Sequence, residues 1–271
     1  MNETAHFSWT VRIFIFCFLA LFLSNASVAI AEDPELQYYE VRIYKIYDFE
    51  KQQIADEYLR DALLPALNRQ KIENVGAFHN LKDENDHSIY VMIPFTNLEA
   101  FSNYNKKLAT DAKYQEAGKT YLERNKGDGI FDRIESRLLK AFTSMPQMEL
   151  ADFSKEKTSG RMYELRLYES HTEEHARRKV QMFDSGETQL MRDVKMGPVF
   201  FGETLAGPDL PNLVYMLSAE NMADHEEHWK SFKKSDRWKE MKGLPEYKDT
   251  CLLYTSPSPR DQRGSRMPSS A

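Results

Sequence analysis

A chain of 271 residues with 41% hydrophobic and 29% charged side chains has an ordinary globular balance and is long enough for two units, each with its own core. Of the net charge of −6, Glu3 and Arg12 cancel near one end, and Asp261 against Arg260, Arg263 and Arg266 leaves two positives near the other, so residues 32–250 carry −8. That acidic body excludes nucleic acid as a main partner, and because Cys17 and Cys251 both lie outside it, no disulfide, thiolate nucleophile or sulfur-ligated metal is available to it.

In chain order, Arg12 precedes the uncharged apolar run Ile13 to Leu23, and Ala29-Ile30-Ala31 then offers a small-x-small cleavage site. Residues 1–31 therefore read as a signal peptide, predicting a secreted or periplasmic protein with no membrane contact after cleavage. An uncleaved anchor is the alternative, for which the run is short. From Tyr38 to Ile46 the alternation reads as a strand, and Ile54, Ala55, Tyr58, Leu59, Ala62, Leu63, Ala66 and Leu67 recur at helical spacing, with Pro65 predicting a kink. Val75 to Leu81 and His87 to Phe95 read as a hairpin. Thr96 and Glu99 suggest a capping box opening a helix with Leu98, Phe101 and Leu108, and Gly127-Asp128-Gly129 turns into a last strand from Ile130 to Phe142.

Residues 38–143 thus form a first unit of order β-α-β-β-α-β, followed by a linker over 144–160. A second unit over 161–250 repeats the first. Tyr39-Glu40-Val41-Arg42-Ile43-Tyr44 returns 124 positions later as Tyr163-Glu164-Leu165-Arg166-Leu167-Tyr168, and Ser88 to Ile93 and Asn97 to Ala100 have echoes at nearly the same distance. Strands at Met162 to Tyr168, around Val199 to Gly202 and at Leu213 to Leu217, with helices bearing Ala176 to Met191 and Met222 to Phe232, complete the copy except for its last strand. Residues 251–271 share no periodicity with the body and read as a disordered, foreign-looking tail, resembling translated adapter sequence.

The fold class is therefore α+β: two tandem ferredoxin-like repeats, the second lacking its last strand, whose sheets pack into an α/β barrel of the dimeric type. The halves come from one chain or pair between chains as a homodimer. Period 2 places Glu40, Arg42 and Tyr44 on one strand face, and Glu164, Arg166 and Tyr168 likewise. If the apolar sets meet the helices, these polar sets face the barrel, where a carboxylate, a guanidinium and a phenol suit an anionic or phenolic ligand. The bland alternative is a salt bridge fixing the packing of the two sheets. His171 with His175, and His225 with His228, have metal-compatible spacings, but their neighbours read more simply as a solvated helix face, and no metal or cofactor is expected. Phosphate-binding, dinucleotide and hydrolase motifs are absent from the sequence.

The Tyr-Glu-[Val/Leu]-Arg-[Ile/Leu]-Tyr strand opening each half, Gly186-Glu187-Thr188, and the stretch from Met222 to Trp238 resemble the NIPSNAP family over roughly Tyr38 to Asp249. The resemblance implies a non-enzymatic interaction or assembly protein built on the barrel, like members in animal mitochondria, with a protein partner. The wider superfamily, which includes cofactor-independent monooxygenases, haem enzymes and isomerases, implies the alternative of a small-molecule binder or enzyme acting on an aromatic or anionic compound in the cavity. No catalytic residue is assigned by either.

Overall fold

Polar caps start the helices, and they recur with the repeat. Asp48 and Thr172 accept the N–H of Lys51 and His175, Asn97 and Asn221 those of Ala100 and Asp224, and Asp111 and Ser235 those of Tyr114 and Trp238. Every pair is 124 residues apart, so the duplication preserved cap chemistry as well as strands. The cap at the second of these sites is Asn97 rather than Thr96, because Asn97 holds the extended backbone and its side chain lies 2.8 Å from the Ala100 nitrogen.

The computed structural model describes residues 35–81, 83, 85–248 and 250, and the backbone of 253–255; the predicted signal segment and most of the predicted tail lie outside the described residues. The first repeat runs through β1 (Tyr38–Ile46), α1 (Phe49–Tyr58), a π-turn (Leu59–Leu63), α2 (Leu64–Arg69), β2 (Gly76–His79) and β3 (Ile89–Phe95). It continues with α3 (Leu98–Thr110), α4 (Ala112–Ala117), α5 (Lys119–Leu122) and β4 (Phe131–Ala141). After α6 (Asp152–Lys155) in the linker come β5 (Met162–Glu169), α7 (Glu173–Met182), a second π-turn (Phe183–Glu187) and α8 (Thr188–Asp193). The chain then forms β6 (Pro198–Ala206), β7 (Asn212–Ala219), α9 (Met222–Lys234), α10 (Asp236–Gly243) and β8 (Leu253–Thr255).

Pro65 does not simply kink its helix. It lacks the N–H that the carbonyl of Asp61 would accept, and the turn before it widens so that the Leu64 N–H reaches back to the Leu59 carbonyl. The second copy widens at the same place, Thr188 bonding to Phe183, although Gln189 stands where the first has proline. There Gly186, at φ 152°, takes a backbone conformation that a side chain would resist.

All strands join one antiparallel sheet in the order β2-β3-β1-β4-β6-β7-β5-β8, two ferredoxin-like halves placed side by side. They meet where Leu138 to Ala141 of β4 pair with Gly202 to Ala206 of β6. The sheet curls until its first and seventh strands touch, with the Phe78 and Tyr163 rings 4.9 Å apart. Tyr39, Val41, Leu139, Phe200, Val214 and Met216 pack inside the curl. The linker closes one end of it: Met148 and Leu150 pack on that cluster, and Gln37 bonds to both Pro146 and Met148. Outside, each half has its own helix-covered core, around Leu63 and Tyr104 in the first and Phe183 and Tyr215 in the second.

Two expectations change. The apolar strand face, not the polar one, lines the barrel, because sheet side chains converge there with no helix among the described residues to supply hydrogen bonds, whereas the outer face has helix-borne donors for Glu40 and Glu164. In the predicted tail, Leu253–Thr255 pair with Leu167 to Glu169 at the place of a fourth strand, three residues against the eleven of β4. Among the described residues, the last strand of the second repeat is these three residues.

Gly202 sets the approach of the two halves, since a Cβ on it would lie 2.8 Å from the Leu139 Cβ. Gly202→Ala is expected to destabilise the protein by about 1–3 kcal/mol through overpacking. Gly127→Ala, whose added Cβ meets nothing within 4 Å, should stay within about 0.5 kcal/mol of the parent. Urea denaturation of the two variants checks the contrast; equal effects would mean that the β4–β6 junction tolerates separation.

Candidate functional site

The predicted site residues gather under the helices as two related clusters. In the first, Glu40 accepts from Arg42 at 2.7 Å, Tyr104 of α3 at 2.8 Å and Ser136 of β4 at 2.8 Å, while the Tyr44 hydroxyl lies 3.4 Å from the guanidinium. In the second, Glu164 accepts from Arg166 at 2.6 Å and from the indole N–H of Trp229 in α9 at 2.8 Å. Arg166 lies 4.3 Å from the Trp229 ring centroid, and the Tyr168 and Tyr215 hydroxyls are 3.0 Å apart. In each copy a ring donor from the second helix reaches the strand carboxylate. The ion pair lies within one strand, so the expectation of a bridge between the two sheets is also corrected.

The surroundings hold both guanidiniums protonated and the Tyr215 phenol neutral. Burial pulls the Arg42 guanidinium down, but Tyr44 and Glu40 outweigh it and leave it above its ordinary value. Arg166 is raised in the same sense, by Tyr168, Tyr215 and Glu164 against burial. Burial pushes the Tyr215 phenol well up, against the pull of Arg166. Such groups are poor proton carriers near neutrality.

The second cluster holds a pair that sequence reasoning missed. Lys179 and Glu187, both buried, form an ion pair at 3.1 Å, with the ammonium 4.8 Å from the Phe183 ring centroid and 5.3 Å from that of Tyr168. Residues eight apart point roughly 80° away from each other on a regular α-helix. The π-turn between them inserts one residue and brings them onto one face. Burial raises the Glu187 carboxyl above its ordinary value, and Lys179 opposes that rise. A lysine between Ala176 and Phe183 on an otherwise apolar stripe is the signal in the sequence. The first repeat has Ala55 and Leu63 at the corresponding buried positions.

The histidines divide. His171 and His175 lie with ring centroids 4.0 Å apart and planes tilted by 37° at the start of α7, and the His175 Nδ1 lies 2.6 Å from the Thr172 hydroxyl. His225 is buried with its Nε2 3.5 Å from Glu164, and His228 lies one turn further along α9. No group of three metal-ligating side chains converges among the described residues.

A cleft lies between β2 and β5, lined by Phe78, His79, Asn80, Tyr90, Tyr163, Leu165 and Met216. Its volume is about 40 Å³, water-sized rather than ligand-sized. None of Glu40, Arg42, Tyr44, Glu164, Arg166 and Tyr168 lines it.

Fold and site together define an α+β protein of the dimeric α/β-barrel type, with both halves in one chain and its repeated charges beneath the helices. The NIPSNAP family model matches residues 39–146 and 163–249, and the chain belongs to the NIPSNAP family. None of the curated proteins matches it in sequence. Among solved structures it is similar to a candidate monooxygenase from Fusobacterium nucleatum, 8% identical, covering 82% of this chain and 90% of that one at a TM-score of 0.53. It is also similar to a candidate monooxygenase from Lactobacillus acidophilus, 12% identical, covering 82% and 92% at 0.50. A NIPSNAP-like domain protein from Burkholderia xenovorans is 16% identical over 41% of this chain and 96% of that one, at 0.34.

Lys179→Met alone leaves Glu187 buried without its partner and is expected to cost about 3–5 kcal/mol. Replacing both residues, Lys179→Met with Glu187→Leu, should recover most of that loss, because the first repeat already packs apolar side chains there. A double-mutant cycle by urea denaturation reads the coupling; additive losses would show the pair to be independent.

Proposed function

We propose that this NIPSNAP-family protein is an exported, non-enzymatic interaction or assembly protein that uses its barrel as a scaffold. The observation that carries this reading is the packed interior: most side chains that meet inside the sheet are apolar, and the Glu-Arg-Tyr sets are engaged under the helices by Tyr104 and Trp229. Chemistry on an aromatic or anionic substrate needs a concave site with convergent polar groups. The cleft between β2 and β5 offers neither the volume nor an arginine. Two fold neighbours carry the description of candidate monooxygenases, at 8% and 12% identity, which supports a common fold alone. Export rests on the composition of residues 1–31.

The purified protein is expected to release no stoichiometric small molecule when denatured, as read by mass spectrometry. Arg42→Met and Arg166→Met should alter thermal stability without changing any small-molecule retention. A stoichiometric aromatic or anionic compound, lost in either variant, would overturn the proposal in favour of a ligand-binding barrel. Cleavage after Ala31, read by N-terminal sequencing of exported protein, checks the compartment; retention of the intact leader in the cytoplasm would refute it.

A further inference from the structure

In the first repeat the helical layer gathers a group of phenols above β1: Tyr44 of β1, Tyr58 at the end of α1, Tyr114 of α4 and Tyr121 of α5. The Tyr58 and Tyr121 rings stack with centroids 3.8 Å apart and planes 6° from parallel, which places carbons of one ring at van der Waals distance from those of the other. Gly118 permits this approach. A Cβ on it would come 3.3 Å from the Ala62 Cβ, so the turn between α4 and α5 settles against the π-turn that follows Tyr58. The Tyr58 and Tyr114 hydroxyls lie 2.8 Å apart. Tyr58 is buried, whereas Tyr121 is partly exposed and meets a solute from outside first. The second repeat does not copy the pair, since Met182 and Pro245 stand 124 positions on.

We propose that Tyr58 and Tyr121 form a modification site, at which a one-electron oxidant joins the two rings by a carbon–carbon bond and ties α1 to α5. Two equivalents of oxidant each remove one electron. The hydroxyl protons leave with the electrons, that of Tyr121 to water and that of Tyr58 through the Tyr114 hydroxyl to water. The two phenoxyl radicals couple at ring carbons ortho to oxygen, and the hydrogens on those carbons shift to the oxygens, restoring both phenols. The product is two hydrogen atoms lighter than the parent, and the reduced oxidant holds both electrons. Burial, the main cause, pushes both phenols above their ordinary value, so electron and proton leave together. Residues 32–250 contain no cysteine, and this bond supplies a covalent tie that a disulfide cannot. Tyr168 and Tyr215 of the second repeat are the internal contrast. Their hydroxyls are 3.0 Å apart, but the rings meet edge to face, at 82° with centroids 5.4 Å apart.

The probe is tris(bipyridine)ruthenium(II) with persulfate under visible light, applied to the dilute full chain and quenched with excess thiol. Dityrosine fluorescence is expected in a band that still runs as a single chain on denaturing gels. Trypsin should then release residues 52–60 joined to residues 120–124, segments that hold one tyrosine each. Tyr58→Phe and Tyr121→Phe should each abolish the joined pair and Tyr215→Phe should leave it, with circular dichroism checking that all three variants fold. Unfolding the parent in urea before oxidation should also abolish it, and the joined protein should melt at a higher temperature than the untreated one. Oxidation of the folded parent without this pair, a pair formed as readily in urea, or coupling mainly between chains would each overturn the proposal. The readout is independent of whether the barrel binds a partner or a small molecule.

Discussion

Everything distinctive in this fold depends on the seam between β4 and β6. Ladder bonds from Leu138 to Ala141 make one sheet of two repeats, and Gly202 lets the backbones approach because it brings no Cβ against Leu139. Once the halves share a sheet, its curl brings Tyr39 against Phe200, with ring centroids 4.8 Å apart, and the inner face becomes a mostly apolar interior that no helix covers among the described residues. Charge cannot be kept there cheaply. Glu40, Arg42, Glu164 and Arg166 lie on the outer face, where Tyr104 and Trp229 bond the two carboxylates, whereas Arg137 of β4, opposite Val41, is buried and pairs with Asp209. The filled interior and the sealed charge clusters are thus two results of one geometric choice.

Much of this was legible in the residues. β1 has the limits that alternation predicts, and β5, β7, α3 and α9 fall on the segments read as strands and helices. The 124-residue echo gave the duplication, and the structure extends it to caps and π-turns. Which face of β1 points inward was not legible. Alternation separates Glu40, Arg42 and Tyr44 from Tyr39, Val41 and Ile43, but both sheet faces are covered here, and period 2 contains no sign that distinguishes two covers. The Lys179–Glu187 pair was hidden for a related reason. Its spacing of eight residues places it on separate faces of a regular helix, and only the π-turn joins them.

The two repeats share a frame but not an economy of charge. In the first, α1 and α2 pack Ala55 and Leu63 into an apolar core beside Tyr58 and Tyr114. In the second, the same frame encloses an ammonium, two carboxylates, a guanidinium and two phenols. Buried pairs of this kind contribute little net stability compared with apolar residues of equal volume, yet losing one member is costly. The second repeat is therefore the one in which a single substitution does most harm, and it fixes a particular arrangement of α7, α8 and α9 rather than merely a dry one.

The paired π-turns also govern how the gene can change. Downstream of Leu59–Leu63 and Phe183–Glu187, the face that each helix buries is set by the number of residues before it, since one residue more or less turns the remainder by roughly 100°. A one-codon deletion there would swing Ala66 and Leu67, or Leu190 and Met191, off their cores while leaving every remaining amino acid unaltered. By contrast, the turn at Lys126 to Gly129 is exposed and has no helical phase to keep. Lineages of this protein should accordingly vary in length at such turns and hold their residue count constant through the first helix of each repeat.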